Sequence, residues 1–264
     1  MPETSETIEL ENNQEESLVN PEDAALFEEM MRAGVFYGRS KSRTNSAMKK
    51  YILTTRAGFE VIDLSETISS LKSAAEAIKK VLQARGKVLL VGTSPAVKTA
   101  VKILAEKFSL PYVTERWLGG TITNFKVINE RVNYFKKLKD EEVKGEWDKY
   151  SKKEKIKFKR ELDKLERLFA GISTLERLPA LVFIADLAEN DLAAKEAKQK
   201  GIPVAAFVNT DADPALVDYP VPANDRNIKS IEILLRELEP AFATRPQEPQ
   251  EPTATNTEKN GNAS

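Results

Sequence analysis

The sequence predicts an α/β protein built on a parallel sheet with helices on both faces. Short apolar runs alternate along the chain with amphipathic helical stretches, which is the alternation typical of βαβ units. The runs Lys87–Val91, Ala180–Ala185 and Pro203–Val208 are almost continuously apolar, as expected of strands that are buried on both sides. With 264 residues the chain is long enough to bury a substantial core.

Composition narrows the possible chemistry. The chain has no cysteine, which excludes disulfides and thiolate catalysis, and no histidine, which removes the commonest metal ligand and the commonest acid–base catalyst. No apolar run approaches the roughly 18 residues that a membrane span needs. Residues 1–29 contain ten acids and no Lys or Arg, so we expect neither a secretory signal nor a transit peptide. We therefore expect no cofactor and no membrane partner.

The formal net charge of −1 conceals a strong asymmetry. Residues 1–29 carry −10, whereas residues 30–239 hold 38 basic and 28 acidic side chains, a net +10. We expect residues 1–22 to be a disordered acidic leader and residues 243–264 a disordered polar tail, because neither has enough apolar surface to form a core. A basic folded region between them favours a polyanionic partner, of which nucleic acid is the usual one.

The first segments predicted to be structured are a helix, a basic loop and a hairpin. An amphipathic helix around Ala24–Met31 ends at Gly34, and Tyr51–Thr54 and Phe59–Ile62 are predicted to form a hairpin. Residues 30–59 contain seven cations and no acid: Arg32, Arg39, Lys41, Arg43, Lys49, Lys50 and Arg56. An unopposed run of this kind indicates phosphate contacts, which we favour over a merely solvated loop.

A second candidate site follows the first buried strand. After an amphipathic helix that starts at Ser65, the turn Gly92–Pro95 joins Lys87–Val91 to another helix, forming half of a Rossmann-like unit. This turn has neither the GxGxxG nor the GxxxxGK[ST] pattern, so an ordinary β–α turn is favoured over a phosphate site. Five carboxylates follow predicted strands on the same sheet edge: Asp186, Asp211, Asp213, Asp218 and Asp225. They suit Mg²⁺ binding or acid–base chemistry, but capping and Asx-turns are the more frequent use of such residues.

The loop Arg116–Asn124 has an unusual composition. Arg116 and Trp117 suit a flat partner, because guanidinium and indole groups both stack and donate hydrogen bonds, although Trp117 could equally fill the core. Thr121 is predicted as the N-cap of the next helix. The last helix is predicted to be capped by Asn224 or Asp225, after an edge strand at Tyr219–Pro222.

Residues 126–167 predict an inserted helical hairpin. They carry 15 basic and 10 acidic side chains and no proline. Gly145 interrupts the first helix, and Ser151 with Glu154 forms the capping box of the second. The two amphipathic helices are expected to pair as an antiparallel coiled coil. Its lysine run, Lys152–Arg160, is compatible both with a solvated helix face and with RNA contact.

Four separated motifs, in order, resemble the ribosomal protein S2 family of the bacterial small subunit. They are Ala33–Val35 with Tyr37-Gly38, Asn45 and Met48-Lys49; Arg116-Trp117-Leu118-Gly119-Gly120 with Thr123-Asn124 and Phe125; Gly201–Val204; and Asp213-Pro214 with Val217–Asp225. The resemblance implies a flavodoxin-like parallel sheet over 23–125 and 168–242, interrupted by the hairpin at 126–167. It also implies a structural, non-catalytic protein that binds small-subunit rRNA late in assembly, contacts neighbouring ribosomal proteins and helps to dock ribosomal protein S1.

The resemblance also suggests which residues meet RNA. We expect the basic loop to contact phosphates through Arg39, Lys41, Arg43, Asn45, Lys49 and Lys50. We expect a second loop to meet RNA or a neighbouring protein through Arg116, Trp117 and Asn124. The family usually has histidines where this chain has Phe36 and Arg39, so metal binding there is not expected. Two other interpretations stay open: a flavodoxin-like nucleotide-binding domain or enzyme that uses the Gly92 turn and the aspartates, and a protein–protein adaptor that acts through its hairpin.

Overall fold

The computed structural model describes residues 21–244, and most of the predicted acidic leader and of the predicted polar tail lies outside that range. The last two residues of the predicted leader, Pro21 and Glu22, belong to the first helix. The described chain contains seven α-helices and eight strands. The helices are α1 (Pro21–Ala33), α2 (Leu64–Gln83), α3 (Lys98–Lys107), α4 (Phe125–Val143), α5 (Lys152–Phe169), α6 (Asp191–Gln199) and α7 (Ile228–Phe242). The strands are β1 (Tyr37–Ser40), β2 (Ile52–Arg56), β3 (Phe59–Ile62), β4 (Val88–Val91), β5 (Tyr112–Val113), β6 (Leu181–Ile184), β7 (Val204–Val208) and β8 (Tyr219–Pro222). None of the helices within residues 21–244 is long and apolar enough to span a membrane.

Five strands form a parallel sheet in the order β5-β4-β6-β7-β8. Numbered along the chain, this is the 2-1-3-4-5 order of flavodoxin-like folds, so the predicted fold class is confirmed. Every residue of β4, β6 and β7 is buried, which explains their continuous apolar sequences. The strand β8 lies at the edge, as its two prolines required, because proline cannot donate to a central ladder.

Alternate residues of the same strands supply two separate cores. On one face Leu90 and Phe183 pack with α1, α2, α3 and α7. On the other face Leu89 and Val182 pack with α4, α5 and α6. Because successive strand side chains point to opposite faces, each buried strand contributes to both layers. This arrangement is the three-layer architecture that the alternating pattern predicts.

The helices α4 and α5 pack side by side as a hairpin. A short turn at Glu146–Lys149 joins them, with Gly145 in the left-handed region at φ 71° and Trp147 buried. The capping box between Ser151 and Glu154 is confirmed: the serine side chain accepts from the Glu154 amide, and the glutamate accepts from the Ser151 amide. The hairpin is therefore a defined structural element with its own apolar seam.

A second, three-stranded antiparallel sheet in the order β1-β3-β2 lies beside the main one. The predicted hairpin of β2 and β3 is present, but β1 was not predicted, because its sequence Tyr-Gly-Arg-Ser has no strand-like alternation. Gly38 in β1 makes a close approach that only glycine allows. A Cβ at this position would lie 2.8 Å from the Thr210 side chain and 2.9 Å from the Glu60 carbonyl oxygen.

Two predicted helix caps were wrong. The helix after the Arg116–Asn124 loop begins at Phe125 instead of following Thr121, whose hydroxyl donates to the Leu118 carbonyl in a turn. The last helix is capped by Asn227. Asn224 is instead occupied with the backbone of Gly34, to which its side-chain amide donates at 3.0 Å. Thr121 is therefore used by a local turn and Asn224 by a contact with a distant segment, and neither side chain caps a helix.

Candidate nucleic-acid interface

The basic segment between β1 and β2 forms two short 3-10 turns, Lys41–Arg43 and Ser46–Tyr51. Met48 and Tyr51 are buried and anchor the segment to the core on the α4, α5 and α6 face. Four cations of the segment are exposed, and none of them pairs with an acid among the described residues: Lys41, Arg43, Lys49 and Lys50. The sole carboxylate between residues 37 and 62, Glu60, is buried and bonded to threonines. The segment is thus a rigid surface of uncompensated positive charge.

Asn45 holds this segment in place. The side-chain oxygen of Asn45 accepts from the Ala47 backbone amide at 3.0 Å and so caps the second turn. The backbone amide of Asn45 donates to the Thr210 carbonyl at 2.8 Å. The residue therefore joins the basic segment to the end of β7. The structure places Asn45 as a support for the exposed cations.

Arg39 differs from the other predicted phosphate ligands. Its guanidinium pairs with Asp211 at 3.0 Å and with Asp225 at 3.3 Å, and its backbone amide donates to Thr210 at 2.7 Å. Asp225 is 1% exposed, and burial raises its pKa, opposed by hydrogen bonding from Asn209 and by the Arg39 charge. The cation is therefore compensated by acids that are distant in sequence. Arg39 fastens the small sheet to the carboxyl edge of the large one.

Asp186 fills the position where a nucleotide-binding fold would place a phosphate. Its carboxylate accepts from the backbone amides of Thr93 at 3.1 Å and Ser94 at 2.7 Å, directly after β4. Asn190 donates to the other carboxylate oxygen at 2.7 Å. Burial raises the pKa of Asp186 to about 6 against these hydrogen bonds. A phosphate at these amides would have to displace a buried carboxylate that already satisfies them.

Gly92, in the same turn, serves packing. A Cβ at this residue would lie 2.8 Å from the Val101 side chain, so glycine is needed for α3 to approach β4. The remaining aspartates are also engaged: Asp213 caps the turn Pro214–Leu216, and Asp218 accepts from the Val204 amide at 2.8 Å. Within residues 21–244 no cluster of three or more acidic side chains has the geometry to hold a metal ion.

The Arg116–Asn124 loop is organised by a residue that sequence reasoning missed. Glu196 of α6 is 5% exposed, and its two carboxylate oxygens receive five hydrogen bonds from the loop. The donors are the Trp117 indole at 3.2 Å, the Gly120 amide at 2.8 Å, the Ile122 and Thr123 amides at 3.0 Å and the Thr123 hydroxyl at 3.0 Å. Burial is the largest influence and opposes ionisation, but the hydrogen bonds together lower the pKa of Glu196. The sequence did contain a signal for this role, because Glu196 is the one acid on a helix face that otherwise consists of buried alanines.

The three predicted residues of this loop have different environments. Trp117 is 7% exposed and belongs to the same buried cluster as Met48 and Tyr51. Arg116 and Asn124 are exposed, and Arg116 pairs with no acid in the described part of the chain. The loop and the basic segment are therefore anchored in one core layer. Each presents cationic or polar side chains to solvent.

Comparison with known proteins supplies the family. Residues 30–244 match the family described as Ribosomal protein S2. The chain is 40% identical over 209 residues to the small ribosomal subunit protein uS2 of Chlorobaculum tepidum, covering 79% of this chain and 84% of that protein. It is 44% identical over 209 residues to the uS2 protein of Bifidobacterium animalis subsp. lactis, covering 78% and 68% respectively. The chain belongs to the ribosomal protein S2 family.

Proposed function

We propose that this protein is a structural component of the small ribosomal subunit, where it binds rRNA and neighbouring ribosomal proteins and catalyses no reaction. The family match supports a place in the small ribosomal subunit, because the matching relatives are named as proteins of that subunit. One observation supports RNA as the ligand: Lys41, Arg43, Lys49 and Lys50 are exposed and have no acidic partner within residues 21–244. Asn45 and Met48 fix the backbone of the segment that carries them. Because the backbone of the segment is already fixed, only the side chains lose conformational freedom when they meet phosphates.

The predicted site residues divide into contacts and supports. The four exposed cations of the basic segment bind the RNA backbone, and Arg116 and Asn124 add a second contact at the loop before α4. Trp117 is buried, so its contribution is to hold Arg116 in place through the core and Glu196. Arg39 and Asn45 connect the basic segment to β7 and β8 and keep its shape.

The small sheet suits a protein neighbour, which we propose includes ribosomal protein S1. Three of its apolar side chains face solvent: Tyr37 is 55% exposed, Leu53 68% and Phe59 55%. Tyr37 and Phe59 lie on paired strands, and large exposed apolar side chains of one sheet support a protein contact. This patch adjoins the basic segment, because the Lys41 amide donates to the Gly58 carbonyl at 3.0 Å.

The alternative nucleotide-binding function has no support in the site geometry. The amides after β4 are occupied by Asp186, and Gly92 is required for packing. Equilibrium binding of ATP, FMN and NAD to the purified chain tests this directly. We expect no saturable binding, and a stoichiometric complex with any of the three would restore the nucleotide-binding interpretation.

Sedimentation of the tagged protein in a native lysate tests the proposed function. We expect it to migrate with small subunits through a sucrose gradient and to remain there after a moderate salt wash. Digestion of the rRNA should release it to the top of the gradient. A protein found only at the top before any digestion would contradict the proposal.

A further inference from the structure

Residues 1–20, which precede the described part of the chain, carry an unopposed negative charge. They contain no Lys or Arg, and their six acids are Glu3, Glu6, Glu9, Glu11, Glu15 and Glu16. We call residues 1–20 the acidic segment. The basic segment between β1 and β2 is its counterpart, because its four exposed cations have no acidic partner within residues 21–244. Each segment therefore lacks, in its own sequence, the charges that the other supplies.

The helix α1 attaches the acidic segment to the body at a fixed point. Near the start of α1, Asp23 pairs with Lys72 of α2 at 2.7 Å. At the other end of α1, the Asn227 side chain donates to the Ala33 carbonyl at 2.8 Å. Both ends of the helix are therefore held against the body, and the acidic segment is joined to a defined position at Pro21.

The acidic segment is long enough to reach the basic segment. The distance from Pro21 to Lys41 is less than about 50 Å, because α1 rises about 1.5 Å per residue and residues 34–41 span at most about 3.6 Å each. The 20 residues of the acidic segment cover up to about 70 Å when extended. A tether of this kind gives the two segments an effective concentration on the order of millimolar, which favours even weak contacts between them.

Other cations of the body have acids close by. Three cations at α1 are already paired with its own acids: Arg32 with Glu28, Lys72 with Asp23 and Arg236 with Glu29. Lys79 and Lys80 lie one turn from Glu76 on α2, and the lysines of α5 are interleaved with four acids of the same helix. The basic segment, in contrast, contains no acid. It is therefore the group among these that most needs an outside partner.

We infer that the acidic segment lies on the basic segment in the free protein and is displaced when the protein binds RNA. Carboxylates spaced by one to four residues offer Lys and Arg the same charge-assisted contacts that phosphates offer. Both occupants need the same cations, so they exclude each other. The contact shields the free protein from non-specific RNA, because such binding depends almost entirely on phosphate contacts. The competition with RNA rests on the proposed function, whereas the contact between the two segments does not.

Zero-length cross-linking of the purified full chain tests the contact in the absence of RNA. A carbodiimide joins a carboxylate to an amine only where the two groups touch. We expect amide bonds between glutamates of the acidic segment and Lys41, Lys49 or Lys50, and we expect an excess of polyuridylate to suppress them. The absence of cross-links to the basic segment would overturn the inference, whether the acidic segment reacts instead with lysines of α2 or α5 or with none.

Binding of polyuridylate to full-length variants tests the competition. The acidic variant carries Glu9→Gln, Glu11→Gln and Glu15→Gln. The matched control makes the same change of charge in the polar tail, through Glu248→Gln, Glu251→Gln and Glu258→Gln. All six positions lie outside residues 21–244, so the described contacts are the same in both variants.

The acidic variant should bind RNA more tightly only where salt is low. We expect a gain of about threefold over the wild type at about 50 mM salt and none at about 300 mM, because salt screens exposed charge pairs. The control should gain less than about 1.5-fold at either concentration. In a background with Lys41→Gln, Arg43→Gln, Lys49→Gln and Lys50→Gln, the acidic variant should gain nothing.

The outcomes separate this inference from the proposed function. A gain that persists in the neutralised background, or that the control shares, would mean that the acids repel RNA from a distance, and it would overturn the inference. Equal affinities of the acidic variant and the wild type at low salt would also overturn it. Both results leave the proposed function intact. Wild-type affinity for RNA in the neutralised background would instead contradict the proposed RNA surface and remove the competition with it.

Discussion

In the Arg116–Asn124 loop, one carboxylate supplies the acceptors that regular secondary structure would otherwise provide. Glu196 receives three backbone amides, an indole N–H and a hydroxyl, so the loop has a single defined shape although it contains two glycines. Loops that bind a partner in one conformation avoid the entropic cost of ordering. Glu196, which lies on α6, therefore preorganises the loop.

We expect Glu196→Ala to lower the free energy of unfolding by about 4 kcal/mol, because several buried donors lose their acceptor at once. Glu196→Gln should have a smaller effect, since one amide oxygen still accepts. Chemical denaturation measures both. The control is Glu76→Ala, an exposed acid on α2 that forms no ion pair within the described chain, with an expected change below about 0.5 kcal/mol. Equal effects at the two sites would contradict the role of Glu196.

Asp186 makes the free energy of unfolding depend on pH, with a sign opposite to that produced by a surface acid in an ion pair. Its folded pKa of about 6 lies above the value of an unfolded aspartate, so folding favours the protonated form. The resulting stability is present at low pH and is lost as the pH rises through 6. Over pH 4 to 7 the difference in unfolding free energy between wild type and Asp186→Asn should change by about 2 kcal/mol against the wild type. A difference that is independent of pH would contradict this assignment.

At the scale of elements, Arg39 determines how the small sheet docks. Its ion pairs join β1 to the ends of β7 and β8, and Asp225 is buried beneath it. Arg39→Ala should cost about 3 kcal/mol, because a buried carboxylate then loses its partner. Arg56→Ala, on neighbouring β2 and without an ion pair among residues 21–244, is the matched control and should be nearly neutral. Denaturation midpoints that move equally would show that the Arg39 pairs do not hold the sheet.

The hairpin offers a second test at this scale. Trp147 is buried at the turn between α4 and α5, with its ring centroid 5.7 Å from that of Phe158. Trp147→Ala should leave a cavity and cost about 3 kcal/mol locally. Hydrogen exchange should then accelerate at amides of α4 and α5 and stay unchanged in β4 and β6. Uniform acceleration over the chain would mean that the hairpin and the body unfold as one unit.

The sequence predicted elements better than it predicted the partners of polar side chains. Apolar periodicity located β4, β6, β7 and the hairpin, because burial on one or two faces leaves a regular pattern. The strand β1 and the cap at Asn227 were missed, because Gly38 and Asn224 serve contacts with residues more than 150 positions away. Arg39 was taken as a free cation for the same reason. Its acids, Asp211 and Asp225, are absent from its own segment and reach it through the fold.

At the scale of the molecule, the exposed cations should determine how binding to the small subunit responds to salt. Neutralising Lys41, Arg43, Lys49 and Lys50 to glutamine should reduce the slope of log K against log salt by about three. Thermal stability should remain unchanged, because the four side chains make no ion pairs with described acids. The control neutralises Lys79, Lys80, Lys200 and Lys229, which are exposed on α2, at the end of α6 and on α7. Slopes that fall equally in both variants would indicate a general charge effect.

The central claim is that the segment Lys41–Lys50 contacts rRNA in the assembled small subunit. Ultraviolet cross-linking of purified subunits, followed by mass spectrometry of peptide–nucleotide adducts, tests it most directly. The account predicts adducts of small-subunit rRNA on peptides from this segment and none on the exposed face of α2. Adducts confined to other surfaces, with the segment cross-linked to protein alone, would contradict it.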